Sequence, residues 1–357
     1  MSKPKAHYRF WGLDLLRALA ISLVMLAHAF FFSNDWAGFE EYFFWSGVFG
    51  VELFFALSGF LIGRILLKLF LQEFSFREVR KFWIRRWLRT LPNYYFILGI
   101  NLVAIAGLGG LTPQYLQYFG FIQNFSSPHP AFFSEAWSLS IEEWFYLLVP
   151  LWLLSIAFFS KNTRKIHLFK NSLILLLVGQ IVFRYLYILY SPELDLDSDI
   201  RKVVIFRLDA PLWGVLAGWV YHFHQDWWKT HAKMLFGAGC SLLVLGFACF
   251  NSSVSLAQAF AFTFLDLGFV CWLPLATQWK APSNFTGKAI NHISLISYSL
   301  YLTHMQFVFK LVSPLSNWLN WWQLWLVYFL TSILLSSILY KCIEQPVLRW
   351  RDRRFKQ

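Results

Sequence analysis

Apolar runs separated by short polar stretches recur along the whole of this 357-residue chain. We count ten runs of about 17 to 23 residues, the length that an α-helix needs to cross the apolar layer of a membrane. The pattern therefore predicts an all-α polytopic membrane bundle that forms one domain over residues 1–357. The predicted spans lie near residues 12–32, 46–68, 93–110, 139–159, 172–190, 203–222, 234–250, 256–277, 293–312 and 319–341.

Basic residues concentrate in every second connection between these spans, whereas the other connections are neutral or acidic. The positive-inside rule assigns such basic connections to the cytoplasm, so we expect both termini to be cytoplasmic. This distribution accounts for the net charge of +12 without a nucleic-acid partner. The basic stretches are the tail before residue 12, the connections 68–92, 160–171, 222–233 and 279–292, and the tail after residue 341.

Composition agrees with a membrane protein, because only 14% of the residues are charged and soluble domains carry nearer a quarter. The four cysteines lie in or beside apolar segments and lack the spacing of zinc ligands. We therefore predict neither a metal site nor a disulfide framework.

The first predicted span contains Asp14, Arg17 and His28 among its apolar residues. Ionisable side chains are costly in hydrocarbon and are functional candidates there. On a helix, Arg17 and His28 lie about 16 Å apart along the axis. Arg17 then lies near the cytoplasmic face, and His28 lies inside the membrane towards the outer face. We expect His28 to act on a substrate, and the alternative is a charged residue that only fixes helix packing.

Two carboxylates are candidates to orient His28 as a catalytic base. Counting along the helices places His28 roughly 8 Å and Glu52 roughly 9 Å below the outer boundary. Helices joined by a short loop are usually neighbours, so Glu52 is predicted to meet His28. Glu142, near the outer end of the fourth span, is the alternative partner or a ligand for an acceptor hydroxyl. The alternative for His28 and Glu52 is a charge pair that only locks two helices.

A basic amphipathic helix is predicted over residues 76–90, lying on membrane lipids at the cytoplasmic interface. Arg85, Arg86 and Arg89 fall on one side of it, an arrangement that suits a multiply phosphorylated ligand. Simple attraction to anionic lipid is the alternative. In the second span, Ser58 and Gly59 allow close approach of either a slender ligand or another helix.

Polar residues near the outer ends of other spans, together with Tyr301 and His304 near mid-membrane, are candidates for contact with an acceptor. Arg207 and Asp209 have the alternative of pairing with each other. His304 has the alternative of a hydrogen-bonded packing residue. We also expect Arg184 and Asp266, within the fifth and eighth spans, to neutralise one another. The acceptor-site candidates are Trp137, Ser138, Arg207, Asp209, Tyr301 and His304.

Seven segments, in order, resemble the acyltransferase-3 family of integral membrane acyltransferases. They read DLLRALAISLVMLAH, GVELFFALSGFLI, RRWLRTLP, WSLSIEEWFYLLVP, FRLDAPLWG, ISYSLYLTH and IEQP. The resemblance implies transfer of an acyl group, most often acetyl, from cytoplasmic acyl-CoA to an extracytoplasmic acceptor such as a surface polysaccharide. It also implies a bacterial inner-membrane location, and it identifies Arg17 and His28 with the signature pair of the family.

The chain departs from the family pattern at Glu52, where the family often has Asp, and in lacking the hydrolase-like C-terminal region of some members. We therefore expect the membrane domain alone to complete the transfer. Lipopolysaccharide O-antigen is the acceptor that this analogy favours.

These observations predict a membrane O-acetyltransferase in which His28 is the general base, assisted by Glu52 or Glu142. Acetyl-CoA would be the acyl donor, with its pantetheine arm passing Ser58 and Gly59. The alternatives are an exporter of sugars or acylated glycan precursors, which needs no phosphate clamp, and a catalytically inactive binding protein. The predicted ligands of the CoA phosphates are Arg17, Arg64, Arg85, Arg86 and Arg89.

Overall fold

The computed structural model describes residues 10–33, 38–72, 74–159, 165–191 and 193–355. Within these ranges every regular element is a helix, so the prediction of an all-α bundle is confirmed. The basic tail before residue 10 and residues 160–164 of one basic connection lie outside the described residues. The principal helices are α1 (Trp11–Ala29), α2 (Glu40–Leu71), α3 (Phe76–Gly107), α4 (Ala136–Phe159), α5 (Lys165–Leu189), α6 (Asp209–Phe223), α7 (Ala232–Phe250), α8 (Ser255–Val270), α9 (Phe285–Thr303), α10 (Trp321–Leu339) and α11 (Gln345–Arg354).

By length and composition, eight helices in the described part of the chain are able to cross a membrane. Two other predicted spans are less regular than expected. The span at 203–222 consists of a short helix, Val204–Arg207, followed by α6. The span at 293–312 starts earlier, at Phe285, and passes from α9 into a π-helical turn at His304–Phe309. A bundle with ten crossings and cytoplasmic termini stays a prediction.

Helix α3 corrects the expectation of a separate interfacial helix over residues 76–90. The chain runs as one helix from Phe76 to Gly107 with Pro92 inside it. Membrane helices tolerate an internal proline when neighbouring groups satisfy the backbone atoms that it frees. Val79 and Trp83 of the apolar stripe are buried against protein, whereas Phe76 is exposed. The indole of Trp83 donates to the carbonyl of Tyr146 at 2.9 Å.

Helix α2 packs between α1 and α6, and glycines permit both contacts. A Cβ atom at Gly50 would lie 2.6 Å from the carbonyl oxygen of Ala20 in α1. A Cβ atom at Gly59 would lie only 1.9 Å from the carbonyl oxygen of Pro211 in α6. Both distances are far below van der Waals contact, so these helices approach at a spacing that larger residues would prevent.

Helix α9 packs against both α1 and α10. It begins with Asn284, whose side chain accepts a hydrogen bond from the amide of Gly287. Helix α10 is followed by a π-helical turn, Tyr340–Glu344, after which the short basic helix α11 packs against α3. The functional candidates lie at two places in this bundle: where α9 meets α1, and where α11 meets α3.

Candidate functional site

Two histidines from different helices meet near the predicted outer end of the bundle. His28 lies in the last turn of α1, and His304 is the first residue after α9. Their Nδ1 and Nε2 atoms, respectively, are 2.9 Å apart. His304 is fully buried, whereas His28 is partly exposed. The prediction left His304 open between packing and acceptor contact, and the structure makes it the direct partner of His28.

The hydrogen bonds of this pair indicate which nitrogen of each ring carries the proton. His304 Nδ1 lies 3.0 Å from the carbonyl oxygen of Leu300 and 2.9 Å from that of Tyr301. Carbonyl oxygens only accept, so in the neutral ring Nδ1 is protonated and Nε2 is an acceptor. His28 must then donate from Nδ1 to His304 Nε2. The remaining nitrogen of His28, Nε2, therefore holds a lone pair, which is the state that a general base requires.

Beside the histidines, two of the predicted acceptor-site residues come into contact. Ser138 Oγ and Tyr301 Oη share a hydrogen bond of 2.6 Å. The Tyr301 ring lies 5.9 Å from the His304 ring, measured between centroids. Trp137 is adjacent in sequence, and its indole packs under the guanidinium of Arg201 at 4.5 Å. The ends of α4 and α9 thus form one polar corner around the histidine pair.

Glu135, which the sequence analysis did not consider, completes this corner. Its Oε2 accepts hydrogen bonds from Gln306 at 3.0 Å and Ser134 at 3.1 Å, and its carbonyl oxygen accepts one from Tyr301. Its Oε1 is buried and has no hydrogen-bond partner among the described residues. Burial raises the pKa of this carboxyl, which precedes the first turn of α4, to about 7. The sequence signal that could have identified Glu135 is its position as an acidic residue directly before an apolar helix.

The predicted pairing of Glu52 with His28 is wrong. Both carboxylate oxygens of Glu52 accept from Arg207, at 3.0 and 2.6 Å. The depth estimate ignored direction around the helix: Gly50 faces α1, and Glu52 lies about 200° further round. Glu52 therefore points towards α6 and α8, and it has a structural contact instead of a catalytic one.

Arg207 and Asp209 also belong to this buried ionic cluster and not to an acceptor site. Arg207 makes a second ion pair with Asp266 at 3.2 Å, and its distance to Asp209 is 3.8 Å. Arg207 and Asp209 thus form the ion pair that was the alternative to an acceptor site, and Asp209 pairs more closely with Arg184, at 2.9 Å. The expected Arg184–Asp266 pair is therefore wrong, because Arg184 pairs with Asp209 and Asp266 pairs with Arg207. The cluster is inaccessible to solvent and links α2, α5, α6 and α8.

Glu142 likewise does not reach His28, because it forms an ion pair with Arg86 at 3.4 Å. The same guanidinium donates to the hydroxyl of Tyr146 at 2.5 Å and lies 4.1 Å above its ring centroid. That hydroxyl also shares a short hydrogen bond with Ser58. Ser58 thus belongs to a polar group within the bundle, whereas Gly59 is occupied by its contact with Pro211, as the helix-packing alternative anticipated.

A second set of polar contacts, also not foreseen, continues between α3, α9 and the turn before α11. Thr90 donates to one oxygen of Glu143 at 2.8 Å, and the other oxygen of Glu143 is buried without a described partner. Glu344 accepts from Asn93 at 3.0 Å and from Ser299 at 2.9 Å. The interior between these helices is therefore hydrophilic over several turns, which is costly in a membrane unless it serves a ligand.

The five predicted phosphate ligands occupy different surroundings. Arg17 contacts Asp14 at 3.3 Å and Ser294 at 3.4 Å. The guanidinium of Arg64 lies over three aromatic rings at 5.0 to 5.7 Å. Arg85 donates to the carbonyl of Phe355 in the chain after α11. Arg89 is exposed and makes no hydrogen bond or salt bridge to a described residue. Only the three α3 arginines therefore form a compact basic group.

Comparison with known proteins identifies the family of the chain. A family profile described as "Acyltransferase domain" (Acyl_transf_3) matches residues 10–341. The chain belongs to the acyltransferase-3 family. The resemblance drawn from seven short segments is thereby confirmed over nearly the whole chain. No solved structure matches the chain.

Curated relatives of the chain carry names that concern O-acetylation. The peptidoglycan O-acetyltransferase OatA of Listeria monocytogenes is 26% identical over 94% of this chain and 55% of its own length. A putative peptidoglycan O-acetyltransferase of Bacillus subtilis, YrhL, is 30% identical over 46% of this chain and 27% of its own length. A putative O-acetyltransferase of Staphylococcus aureus strain MRSA252 is 24% identical over 96% of this chain and 59% of its own length. The chain thus spans little more than half the length of the relatives that it matches most fully.

Along α4, the polar contacts extend from the arginine group towards the histidine pair. Tyr146, which contacts Arg86 and Ser58, lies about 12 Å along the helix axis from Ser138, which contacts Tyr301. The structure therefore joins a basic end and a histidine end through hydrophilic side chains inside one bundle.

Proposed function

We propose that this chain is a membrane O-acetyltransferase that moves an acetyl group from acetyl-CoA, bound at the cytoplasmic face, to a hydroxyl of an extracytoplasmic glycan. The observation that carries the proposal is the His28–His304 hydrogen bond, because it leaves a basic nitrogen available on a partly exposed histidine. The family and the names of its relatives support acetyl transfer to oxygen.

In the proposed reaction, His28 Nε2 removes the proton of the acceptor hydroxyl while the hydroxyl oxygen attacks the thioester carbonyl. The carbon–sulfur bond breaks, and the imidazolium of His28 returns the proton to the departing CoA thiolate. The products are an O-acetyl ester and free CoA, with no net proton release. His304 keeps His28 in the required tautomer and accepts from Nδ1 throughout.

The donor is proposed to bind at the end of the bundle that carries the α3 arginines. Guanidinium groups bind phosphate oxygens in a forked geometry, and CoA carries several phosphate groups. Arg89 supports this assignment most directly, because it is exposed and has no ion pair with a described residue. The hydrophilic residues around Ser58 and Tyr146 would line the path of the pantetheine arm towards His28.

The acceptor is proposed to enter from the opposite side, at the corner formed by Ser138, Tyr301 and Glu135. The names of two relatives make peptidoglycan the first acceptor to test. Lipopolysaccharide O-antigen, which the sequence resemblance favoured, remains the second. The proposed location is the bacterial cytoplasmic membrane, where a cytoplasmic donor and an extracytoplasmic acceptor are both accessible.

The test uses purified full-length protein in nanodiscs with radiolabelled acetyl-CoA, so that no acceptor need be known. We expect saturable binding and slow release of CoA by water. His28→Ala should retain binding and lose about a hundredfold or more of the release rate. His292→Ala is the matched control, because His292 is a histidine of α9 that is exposed and has a hydrogen bond to Ser337.

Absence of saturable acetyl-CoA binding by the wild type would overturn the proposal and favour the exporter alternative. Equal release rates in His28→Ala and the wild type would remove His28 from the chemistry. Label retained on acid-quenched protein, and lost in His28→Ala, would replace direct transfer with an acyl-histidine intermediate.

A further inference from the structure

The basic helix α11 is attached to α3 beside the arginine group. Its residues Arg349 to Arg354 carry four arginines and one acidic residue, Asp352. Arg85 of α3 donates to the carbonyl of Phe355, and Arg351 donates to the carbonyl of Arg85 at 3.4 Å. These reciprocal contacts hold the end of the chain against the first turns of α3.

One carboxylate oxygen of Asp352 lies between two arginines. Asp352 Oδ1 is 2.9 Å from Nε and 2.8 Å from Nη2 of Arg351, and 3.9 Å from Nη2 of Arg85. Two nitrogens of the Arg351 guanidinium thus contact a single anionic oxygen, and the same two donors are able to bind the oxygens of a phosphate group. Asp352 is 57% exposed while Arg351 is only 15% exposed. The carboxylate is consequently the more easily displaced of the two.

Positive charge converges here beyond what the neighbouring carboxylates balance. Arg351 lies within electrostatic range of both Arg85 and Arg89. Asp352 and Glu344 are the acidic side chains that act on these guanidinium groups. Like charges placed this closely repel one another unless an anion binds between them, so the arrangement favours a ligand with several phosphates.

The order of residues along α3 indicates which phosphate each arginine faces. Arg85 precedes Arg89 by one turn, about 6 Å along the axis. With the start of α3 on the cytoplasmic side, Arg85 lies further from His28 than Arg89 does. In CoA, the ribose 3′-phosphate lies further from the thioester than the pyrophosphate does. The outer pair, Arg85 and Arg351, is therefore positioned for the 3′-phosphate.

We propose that Arg351 and Arg85 form a subsite for the ribose 3′-phosphate of CoA, which Asp352 occupies when no nucleotide is bound. This inference rests on the proposed function, since it assumes that acetyl-CoA is the donor. It assigns to α11 a part in donor selection. A donor that lacks the 3′-phosphate cannot replace Asp352 between Arg85 and Arg351, so it gains no binding energy from these two arginines.

The experiment compares the binding of CoA and 3′-dephospho-CoA to full-length protein in nanodiscs, by calorimetry at fixed salt. We expect the wild type to bind CoA roughly tenfold more tightly, the scale of one charge-assisted contact. Arg351→Ala should weaken CoA binding by a similar factor and leave the affinity for 3′-dephospho-CoA unchanged. Asp352→Asn should tighten the binding of CoA and leave the affinity for 3′-dephospho-CoA unchanged.

Arg353→Ala is the matched control, because Arg353 lies on the same helix, is exposed and has no ion pair with a described residue. It should leave the ratio of the two affinities at the wild-type value. Retained binding of 3′-dephospho-CoA by Arg351→Ala shows at the same time that this variant is folded.

Each contrary result has a separate meaning. Equal binding of the two nucleotides by the wild type overturns the subsite but leaves the proposed function standing. If Arg353→Ala changes the ratio of the CoA and 3′-dephospho-CoA affinities as much as Arg351→Ala does, the preference for CoA comes from the general positive charge of α11. That result also overturns the subsite. Failure of the wild type to bind either nucleotide overturns the proposed function itself.

Discussion

At the scale of single residues, the state of His28 is decided by a neighbour that is not a carboxylate. A neutral imidazole that accepts from His28 fixes the tautomer without placing a negative charge in the membrane. His28 is partly exposed, and its Nε2 takes no part in the contact with His304. His304 therefore acts through His28, as a positioning residue.

The first prediction separates this role from simple packing. His304→Leu should lower the rate of CoA release by about tenfold or more, because His28 loses the acceptor that fixes its tautomer. His304→Gln should recover much of the rate, since a side-chain carbonyl accepts from Nδ1. The measurement is the single-turnover release rate with acetyl-CoA affinity followed in parallel. Equal losses in the two variants would make His304 a packing residue only.

The second prediction concerns Glu135 and the dependence of stability on pH. Burial raises the pKa of Glu135 from 4.5 to about 7, so the folded state holds this proton more tightly than the unfolded state. Its contribution to stability is then fully present below pH 4.5 and is lost as the pH rises to about 7. Glu135→Gln should flatten that part of the profile of unfolding temperature against pH.

The matched control for Glu135 is Glu193→Gln, which removes an exposed carboxylate from another connection. Its profile should follow that of the wild type between pH 4.5 and 7. If Glu135→Gln also follows the wild type, folding does not raise the pKa of Glu135 and the prediction is wrong.

At the scale of helices, close packing of α2 fixes the positions of both functional ends. The third prediction is that Gly59→Ala destabilises the protein by about 1–3 kcal/mol, because the new methyl group overlaps the carbonyl oxygen of Pro211. Gly99→Ala in α3 is the control, since a Cβ there has no neighbour within 4 Å. Thermal unfolding in nanodiscs provides the measurement, and similar unfolding temperatures for the two variants would contradict the packing.

The sequence predicted the helices better than the contacts between them. The apolar runs located the membrane helices, and the cost of ionisable groups singled out Arg17 and His28. Depth along an axis could be counted, but direction around it could not, so Glu52 was assigned to the wrong neighbour. His304 was weighed as an isolated polar residue because its meeting with His28 depends on how α1 and α9 pack. Glu135 was missed because it precedes the first residue of α4, and only residues within the apolar run were considered as buried.

At the scale of the whole molecule, the proposal requires the two functional ends to face opposite sides of the membrane. The fourth prediction uses a variant in which the four native cysteines, all free, are replaced by serine. A cysteine at Leu116, which is 70% exposed, should react with a membrane-impermeant maleimide in intact cells. A cysteine at Arg353 should react only after permeabilisation, because basic segments are retained in the cytoplasm.

Labelling of both positions in intact cells, or of position 353 alone, would contradict the proposed orientation. It would also place the arginine group away from cytoplasmic CoA, so the topology test bears directly on the donor. The ion pairs among α2, α5, α6 and α8 lie between the two ends and hold the bundle together without taking part in either.

The π-helical turn at His304–Phe309 places one more residue in a turn than an α-helix would. At the start of this turn, His304 contacts His28. Further along the same turn, Gln306 contacts Glu135, and Phe309 contacts the rings of Phe31 and Phe32. Removing one residue would rotate the downstream part by about 100° relative to the upstream part. The alignment between base and acceptor corner is thus set by chain length as much as by side-chain identity, and a single-codon deletion there would uncouple them while every contacting residue remained.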